Sequence, residues 1–232
     1  MIGTTSDIPV YVVIVAGGQG TRMGMALPKQ FLPLAGKPIL YHTIAAFARA
    51  LPQAHMVLVL PEDDISKLQM ILSHFSDRID LTVVAGGTSR FESVKRGLAQ
   101  VGETSLVLVH DGVRPFVSDA LIQRCLRSAA EYGSAIPAIP MTDSVRIAGA
   151  DDSFTPIDRA KLRVIQTPQA FRSEWILEAF RQDYHIEFTD EATVVESLNH
   201  PIRLVEGEKT NIKITTPEDL ILAENIILRK NS

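Results

Sequence analysis

Cysteine occurs once in this chain of 232 residues, at Cys125. A single thiol excludes a disulfide framework and a cysteine-rich metal site. Long apolar runs are missing too. The longest covers residues 10–16, far below the roughly 18 residues a membrane helix needs. No basic residue precedes Arg22. The amino-terminal stretch therefore has neither the charged start of a signal peptide nor the Arg-rich character of a transit peptide, and the cytoplasm is the expected compartment. Basic residues are not in excess either. Lys and Arg total 23 against 27 Asp and Glu, a formal net charge of −4, which argues against a general nucleic-acid binder. What remains is 46% hydrophobic and 22% charged residues, ordinary for a globular protein and too rich in Val, Ile and Leu for a disordered one. A chain of this length buries roughly 70–75% of its unfolded surface. A single domain over residues 1–232 is expected.

Short β-branched runs alternate with longer helical patterns. Residues 10–16, 56–60, 81–85, 106–110 and 135–139 read as strands, and their near-continuous hydrophobicity suggests cover on both faces. Helices are expected over 38–50, with Pro38 at a favoured first position, and over 62–75, with Ile65, Leu68, Ile71 and Leu72 on one face. Ser89-Arg90-Phe91-Glu92 is a capping-box pattern opening a helix towards Val101. Ser118 and Asp119 can cap a helix running to Tyr132, and Thr216-Pro217-Glu218-Asp219 opens the last helix, whose core face is Leu220, Ala223 and Ile227. The alternation predicts an α/β fold: a Rossmann-like, mostly parallel sheet flanked by helices. Residues 141–162 break the rhythm. Ser144 to Ile147 and Phe154 to Ile157 look like two strands around a turn, a protruding β-hairpin arm. A lone hairpin buries little, so the arm is expected to pack on a second subunit or fold back on the body.

After the first strand comes Ala16-Gly17-Gly18-Gln19-Gly20-Thr21-Arg22-Met23-Gly24. Glycines let successive backbone amides approach an anion and form a concave nest. A dinucleotide fingerprint starting at Gly18 would need glycine where Met23 stands, and no GxxxxGK[S/T] match exists. The segment runs on through Pro28-Lys29-Gln30-Phe31 as a long lasso carrying two cations, Arg22 and Lys29, which suits closure over a triphosphate.

Residues 16–23 followed by Pro28-Lys29-Gln30 resemble the nucleotidyltransferase signature of sugar-nucleotide synthetases. More closely, the chain resembles the 2-C-methyl-D-erythritol 4-phosphate cytidylyltransferase family. The likeness includes Ala85-Gly86-Gly87-Thr88-Ser89-Arg90-Phe91-Glu92-Ser93-Val94, His110-Asp111-Gly112-Val113-Arg114-Pro115 and Thr142-Asp143-Ser144. It continues through Asp158-Arg159, Gln166-Thr167-Pro168-Gln169, Thr189-Asp190-Glu191-Ala192 and Asn211-Ile212-Lys213-Ile214-Thr215-Thr216-Pro217-Glu218-Asp219. Each block is weak alone; their order makes the resemblance specific.

The resemblance implies transfer of CMP from CTP to the phosphate of a methylerythritol phosphate, with release of pyrophosphate. It assigns Arg22 and Lys29 to stabilising charge around the α-phosphate and leaving pyrophosphate, and Arg159 and Lys213 to gripping the acceptor phosphate. CTP contacts are implied for Ala16, Gly17, Gly18, Gly20, Gly86, Gly87, Ser93, Asp111 and Gly112. Acceptor contacts are implied for Asp111, Arg114, Ser144, Arg159, Thr167 and Lys213, Ser144 standing where the family pattern favours Thr. Ser89 and Arg90 read either as nucleotide contacts or as a helix cap and a loop tether. Mg²⁺ is expected through the CTP phosphates and water, with no dedicated protein metal cluster. A homodimer sharing its sites through the arm is implied, with CTP and a small polyol phosphate as partners and neither nucleic acid nor membrane.

Other residues read more simply. His42, His55, His74, His185 and His200 lack metal-ligand spacing, His110 supports the site from its strand, Cys125 fills a helix core, Trp175 packs, and Thr189-Asp190-Glu191 reads as a helix cap, or, as the resemblance implies, as an acidic patch supporting the site from behind. Three alternatives stay open: a sibling that loads CMP onto ribitol 5-phosphate, an inactive nucleotide-binding paralogue, and a nicotinamide-dependent oxidoreductase. All four expected cations are present, which speaks against the second. The glycine spacing speaks against the third, as does Glu62, which comes too late to be the acidic residue at the end of a second strand.

Overall fold

A computed structural model describes residues 8–17 and 27–230. The strands are β1 (Val10–Val15), β2 (Pro33–Leu34), β3 (Lys37–Pro38), β4 (His55–Leu60), β5 (Leu81–Ala85), β6 (Leu106–Asp111), β7 (Ser134–Pro140), β8 (Val145–Ala148), β9 (Phe154–Ile157), β10 (Arg163–Ile165), β11 (Gln169–Arg172) and β12 (Leu204–Glu206). The helices are α1 (Ile39–Ala50), α2 (Gln69–Leu72), α3 (Arg90–Leu98), α4 (Asp119–Tyr132), α5 (Ser173–Ala179), α6 (Glu191–Glu196) and α7 (Pro217–Lys230). The main sheet runs β10-β7-β11-β6-β1-β4-β5, and β12 joins it on β7.

The parallel half follows from the apolar runs. In β1, Val12 and Ile14 face one core with Leu58, Leu60 and Leu108, beneath α1 and α4. Val13 and Val15 face the other with Val57, Val59, Val107 and Val109, against α3 and α5. Both faces are covered, which is why these strands show no polar alternation. Gly97 of α3 brings its helix close to the sheet: a Cβ there would meet Val13 Cγ1 at 2.6 Å. Ser89 caps α3, its hydroxyl accepting from the Glu92 N–H, and Ser118 caps α4 in the same way through Leu121. On α7, Ala223 is fully buried, with Leu220 and Ile227 packed beside it.

The sheet is mixed rather than parallel throughout. β11 runs antiparallel to β6 and β7, and β10 antiparallel to β7. From β7 through the arm to β10 and β11 the chain passes through no α-helix, which antiparallel neighbours do not need. The sequence reading missed β10, β11 and β12. It also expected one α-helix over 62–75, where the chain instead forms 3₁₀ turns (Glu62–Leu68) and then the single turn of α2. Ile65, Leu68 and Ile71 recur every third residue, the period of a 3₁₀ turn, and all three join the core. The segment from Lys29 to α1 is likewise more than a lasso. A 3₁₀ turn (Lys29–Phe31) leads into the β2–β3 hairpin, whose two turn residues, Ala35 and Gly36, have φ of 49° and 78°.

The arm forms as a hairpin of β8 and β9, a two-stranded sheet separate from the main one. Its Ile147 and Phe154 stay 57% and 60% exposed. Among the described residues, no helix is long and apolar enough to cross a membrane.

Candidate active site

The order β5-β4-β1-β6 places a topological switch point between β1 and β6, and open α/β sheets bind ligands beyond the strand ends at such a point. Val15 and Asp111 end the two strands in register. A cleft of about 230 Å³ opens there, lined by Val15, Ala16, Gly17, Lys29, Gln30, Gly87, Thr88, Ser89, Arg90, Ser93, Asp111, Val113 and Lys213. Glycine at position 87 lets the turn pack tightly on α3: a Cβ there would lie 2.3 Å from Glu92 Cβ. The Ser93 hydroxyl holds the turn, accepting from the Gly87 N–H at 3.1 Å and donating to the Ser89 carbonyl at 2.9 Å. One acceptor lone pair remains on it.

A second cavity of about 280 Å³ shares Arg90, Asp111 and Lys213 with the first and adds Arg114, Ile165, Gln166, Thr167, Gln169, Thr189 and Asp190. The shared residues form a charged partition. Asp111 Oδ2 lies 3.0 Å from Lys213 Nζ and 3.4 Å from Arg114 Nε, and its Oδ1 lies 3.3 Å from Arg90 Nη2. Burial alone would raise the Asp111 carboxyl. The charges of Arg90, Lys213 and Arg114 outweigh it and hold the group far below the usual carboxylate range.

Behind the partition the hydrogen bonds determine the state of His110. Its ring is fully buried, and burial lowers its pKa to about 4, leaving it neutral. Nε2 lies 3.1 Å from the Arg114 carbonyl, which can only accept, so Nε2 carries the proton. Nδ1 then accepts from the Thr167 hydroxyl at 3.1 Å, and that hydroxyl accepts from the Asp111 N–H at 3.1 Å.

The residues singled out in the sequence fall into five groups. Ala16, Gly17, Lys29, Gly87, Ser93, Asp111 and Lys213 line the first cleft, while Arg114 and Thr167 join Asp111 and Lys213 at the second cavity. Gly86 and Gly112 stand behind the first cleft. The Gly86 N–H bonds the Leu60 carbonyl and the Gly112 N–H the Val15 carbonyl, and the Gly112 carbonyl accepts from Thr43. Ser144 and Arg159 do not join the partition within one chain. They line a separate hollow at the base of the arm, where Arg159 donates to the Thr142 carbonyl. Arg22, Gly18 and Gly20 lie outside the described residues.

The sequence reading left Arg90 open between loop tether and ligand contact, and the structure places it on the wall of both cavities. Within Thr189-Asp190-Glu191 the expected helix cap is present and Asp190 supplies it, while Glu191, the next residue, is fully buried. Gln30 is also fully buried, with its Nε2 3.3 Å from Asp64. All three stand in motif blocks, but the motifs do not record the pairings, whose partners lie 101 and 34 residues apart. Cys125 and Trp175 have the packing roles expected. The thiol is buried, and the indole stacks on His200 at 4.6 Å.

Comparison with known proteins meets this geometry from another side. Residues 10–229 match the model of the family "IspD: 2-C-methyl-D-erythritol 4-phosphate cytidylyltransferase". A 2-C-methyl-D-erythritol 4-phosphate cytidylyltransferase of Porphyromonas gingivalis is 45% identical over 218 residues, covering 94% of this chain and 97% of that protein. A bifunctional enzyme IspD/IspF of Desulfotalea psychrophila is 43% identical over 220 residues, which cover 94% of this chain and 57% of that longer protein. The crystal structure of 4-diphosphocytidyl-2C-methyl-D-erythritol synthase from Anaerococcus prevotii superposes with a TM-score of 0.83 at 29% identity, over 97% of this chain and 98% of that one. These matches favour the methylerythritol reading over the three alternatives. A glycine-bordered cleft at the switch point, a cationic partition and full-length similarity converge: the chain belongs to the 2-C-methyl-D-erythritol 4-phosphate cytidylyltransferase family.

Proposed function

We propose that this chain transfers CMP from CTP to the phosphate of 2-C-methyl-D-erythritol 4-phosphate in non-mevalonate isoprenoid synthesis, giving 4-diphosphocytidyl-2-C-methyl-D-erythritol and pyrophosphate. The observation that carries the reading is the pair of adjoining cavities divided by Asp111, Arg90 and Lys213. One cavity opens on the glycine turn and Lys29; the other opens on Arg114 and Thr167. An oxygen of the acceptor phosphate attacks the α-phosphorus of CTP, and the bond from that phosphorus to the bridging oxygen breaks. A phosphate monoester has a second pKa near ~6 and is largely a dianion at pH 7, so no general base is required. The task left to the protein is positioning and cationic stabilisation.

Lys29, with Arg22 from the same glycine-rich stretch of sequence, serves the triphosphate. Lys213, still 41% exposed beside Asp111, serves the acceptor phosphate. Ser144 and Arg159 sit on the arm, away from their own partition, and Ile147 and Phe154 leave apolar surface on the same hairpin. Both features support a homodimer in which each arm completes the partner's site. Mg²⁺ bound with CTP would neutralise phosphate charge. Asp111 is the one carboxylate among the described residues of the first cleft, and three cations occupy it. A metal bound there would draw its ligands from phosphate and water. The expected compartment is the cytoplasm.

The deciding experiment is pyrophosphate release from CTP and Mg²⁺ with methylerythritol 4-phosphate and ribitol 5-phosphate side by side. Turnover with the first alone is expected. Preference for the second would transfer the protein to polyol-polymer synthesis, and silence with both would overturn the catalytic reading.

A further inference from the structure

Among the described residues, Glu191 is the one Asp or Glu side chain with no solvent exposure. It is the first residue of α6, yet the helix does not use it as a cap. Asp190 and Thr193 satisfy that end reciprocally. Gln169 ties the same end to β11, its Nε2 donating to Asp190 Oδ2 at 2.8 Å and its Oε1 accepting from the Ala192 N–H at 2.8 Å. A rigid mount thus carries a carboxylate into the interior, where an unpaired charge is costly. Both of its oxygens take the Arg90 guanidinium, at 2.5 and 3.1 Å. Arg90 in turn reaches Asp111 Oδ1 at 3.3 Å, while Asp111 Oδ2 faces Lys213 at 3.0 Å. Two carboxylates therefore stand in series with Arg90 between them.

Resting on the function proposed above, we infer that Glu191 is a positioning residue for the transfer. By taking the Arg90 fork it confines Arg90 to one oxygen of Asp111 and leaves the other to Lys213, whose ammonium is thereby aimed at the acceptor cavity. A two-pronged guanidinium matches a carboxylate far better than an ammonium does. Without the charge on Glu191, Arg90 turns to both oxygens of Asp111 and displaces Lys213. Glu191 acts through two intermediaries and touches neither substrate.

The test is steady-state kinetics on the full chain with kcat and both KM values separated, for the wild type, Glu191→Gln, Arg90→Met and the double variant. Glu191→Gln is expected to raise the KM for methylerythritol 4-phosphate at least ~10-fold and to leave the KM for CTP within about 2-fold. The double variant is expected to be no worse than Arg90→Met alone, the signature of residues acting as one unit. A purely structural role loses folded protein, which lowers kcat and moves neither KM. An unchanged acceptor KM, or losses that multiply in the double variant, would overturn the inference. Should Glu191→Gln not accumulate, Arg90→Lys keeps the charge and loses the fork; it is expected to raise the same KM, and an unchanged value would again overturn the idea. A wild type silent with methylerythritol 4-phosphate sinks this inference together with the functional reading, whereas an active wild type with unaffected variants sinks this one alone.

Discussion

At the scale of single residues, charge placement decides what this site can do. Lys29 lines the cleft beside Gly17 and Gly87. A cation aimed at developing charge is worth about 3–4 kcal/mol, so Lys29→Ala is expected to lower kcat at least ~100-fold at saturating CTP, read as pyrophosphate release. His110 makes a prediction about acid stability. Its folded pKa is about 4, against roughly 6.5 in the unfolded chain. A depressed value means that the stabilisation is complete above pH ~6.5 and is lost as pH falls towards 4, about 3 kcal/mol in all. Asp111, also depressed, extends the loss to lower pH. Thermal melts between pH 7 and 4 should show this slope, and His110→Gln should flatten it; an undiminished slope in the variant would assign the loss to another group. At this scale the sequence was most informative where chemistry and locality coincide. Lys29, Asp111 and Lys213 belong to motifs that announce a phosphate site. Glu191 stands in a motif as well, but its pairing does not show there, because the guanidinium it takes lies 101 residues away.

At the scale of elements, capping and close packing make separate predictions. The Ser89 hydroxyl accepts from the Glu92 N–H at 3.1 Å, and Ser89→Ala should cost about 1 kcal/mol in urea unfolding with an unchanged m-value. Gly97→Ala forces a methyl group to within 2.6 Å of Val13 Cγ1 and 2.9 Å of Val59 Cγ2, an overpacking expected to cost ~1–3 kcal/mol in the same experiment. Elements with a strong local signal were legible in advance: the apolar strands β1, β4, β5, β6 and β7, and the capped helices α3, α4 and α7. Those whose signal is weak were not. β10 and β12 have three residues each, and only pairing with β7 makes them strands. Residues 62–75 carry helical-looking hydrophobics, yet the contact of Asp64 with Gln30 and Lys67 and the three-residue apolar period draw the segment into 3₁₀ turns.

At the scale of the whole molecule, the exposed arm is the outstanding question. Replacing Ile147 and Phe154 together by Glu should convert a dimer to monomers in sedimentation experiments and remove acceptor-dependent turnover, while CTP binding persists. A dimer that survives the change would show that the arm is not the contact. The composition excluded a disulfide scaffold, and the order of short apolar runs and capped helices determined an α/β architecture, because covering a sheet on both faces demands apolar residues at consecutive positions. The motifs determined the family. Only the tertiary structure decided which charges meet. It divided the site into two cavities sharing one wall, left Ser144 and Arg159 on the arm, and buried Glu191 behind Arg90. Local sequence dictates backbone conformation and burial pattern, whereas an ion-pair network depends on residues brought together across the sheet, and no spacing along the chain records that distance.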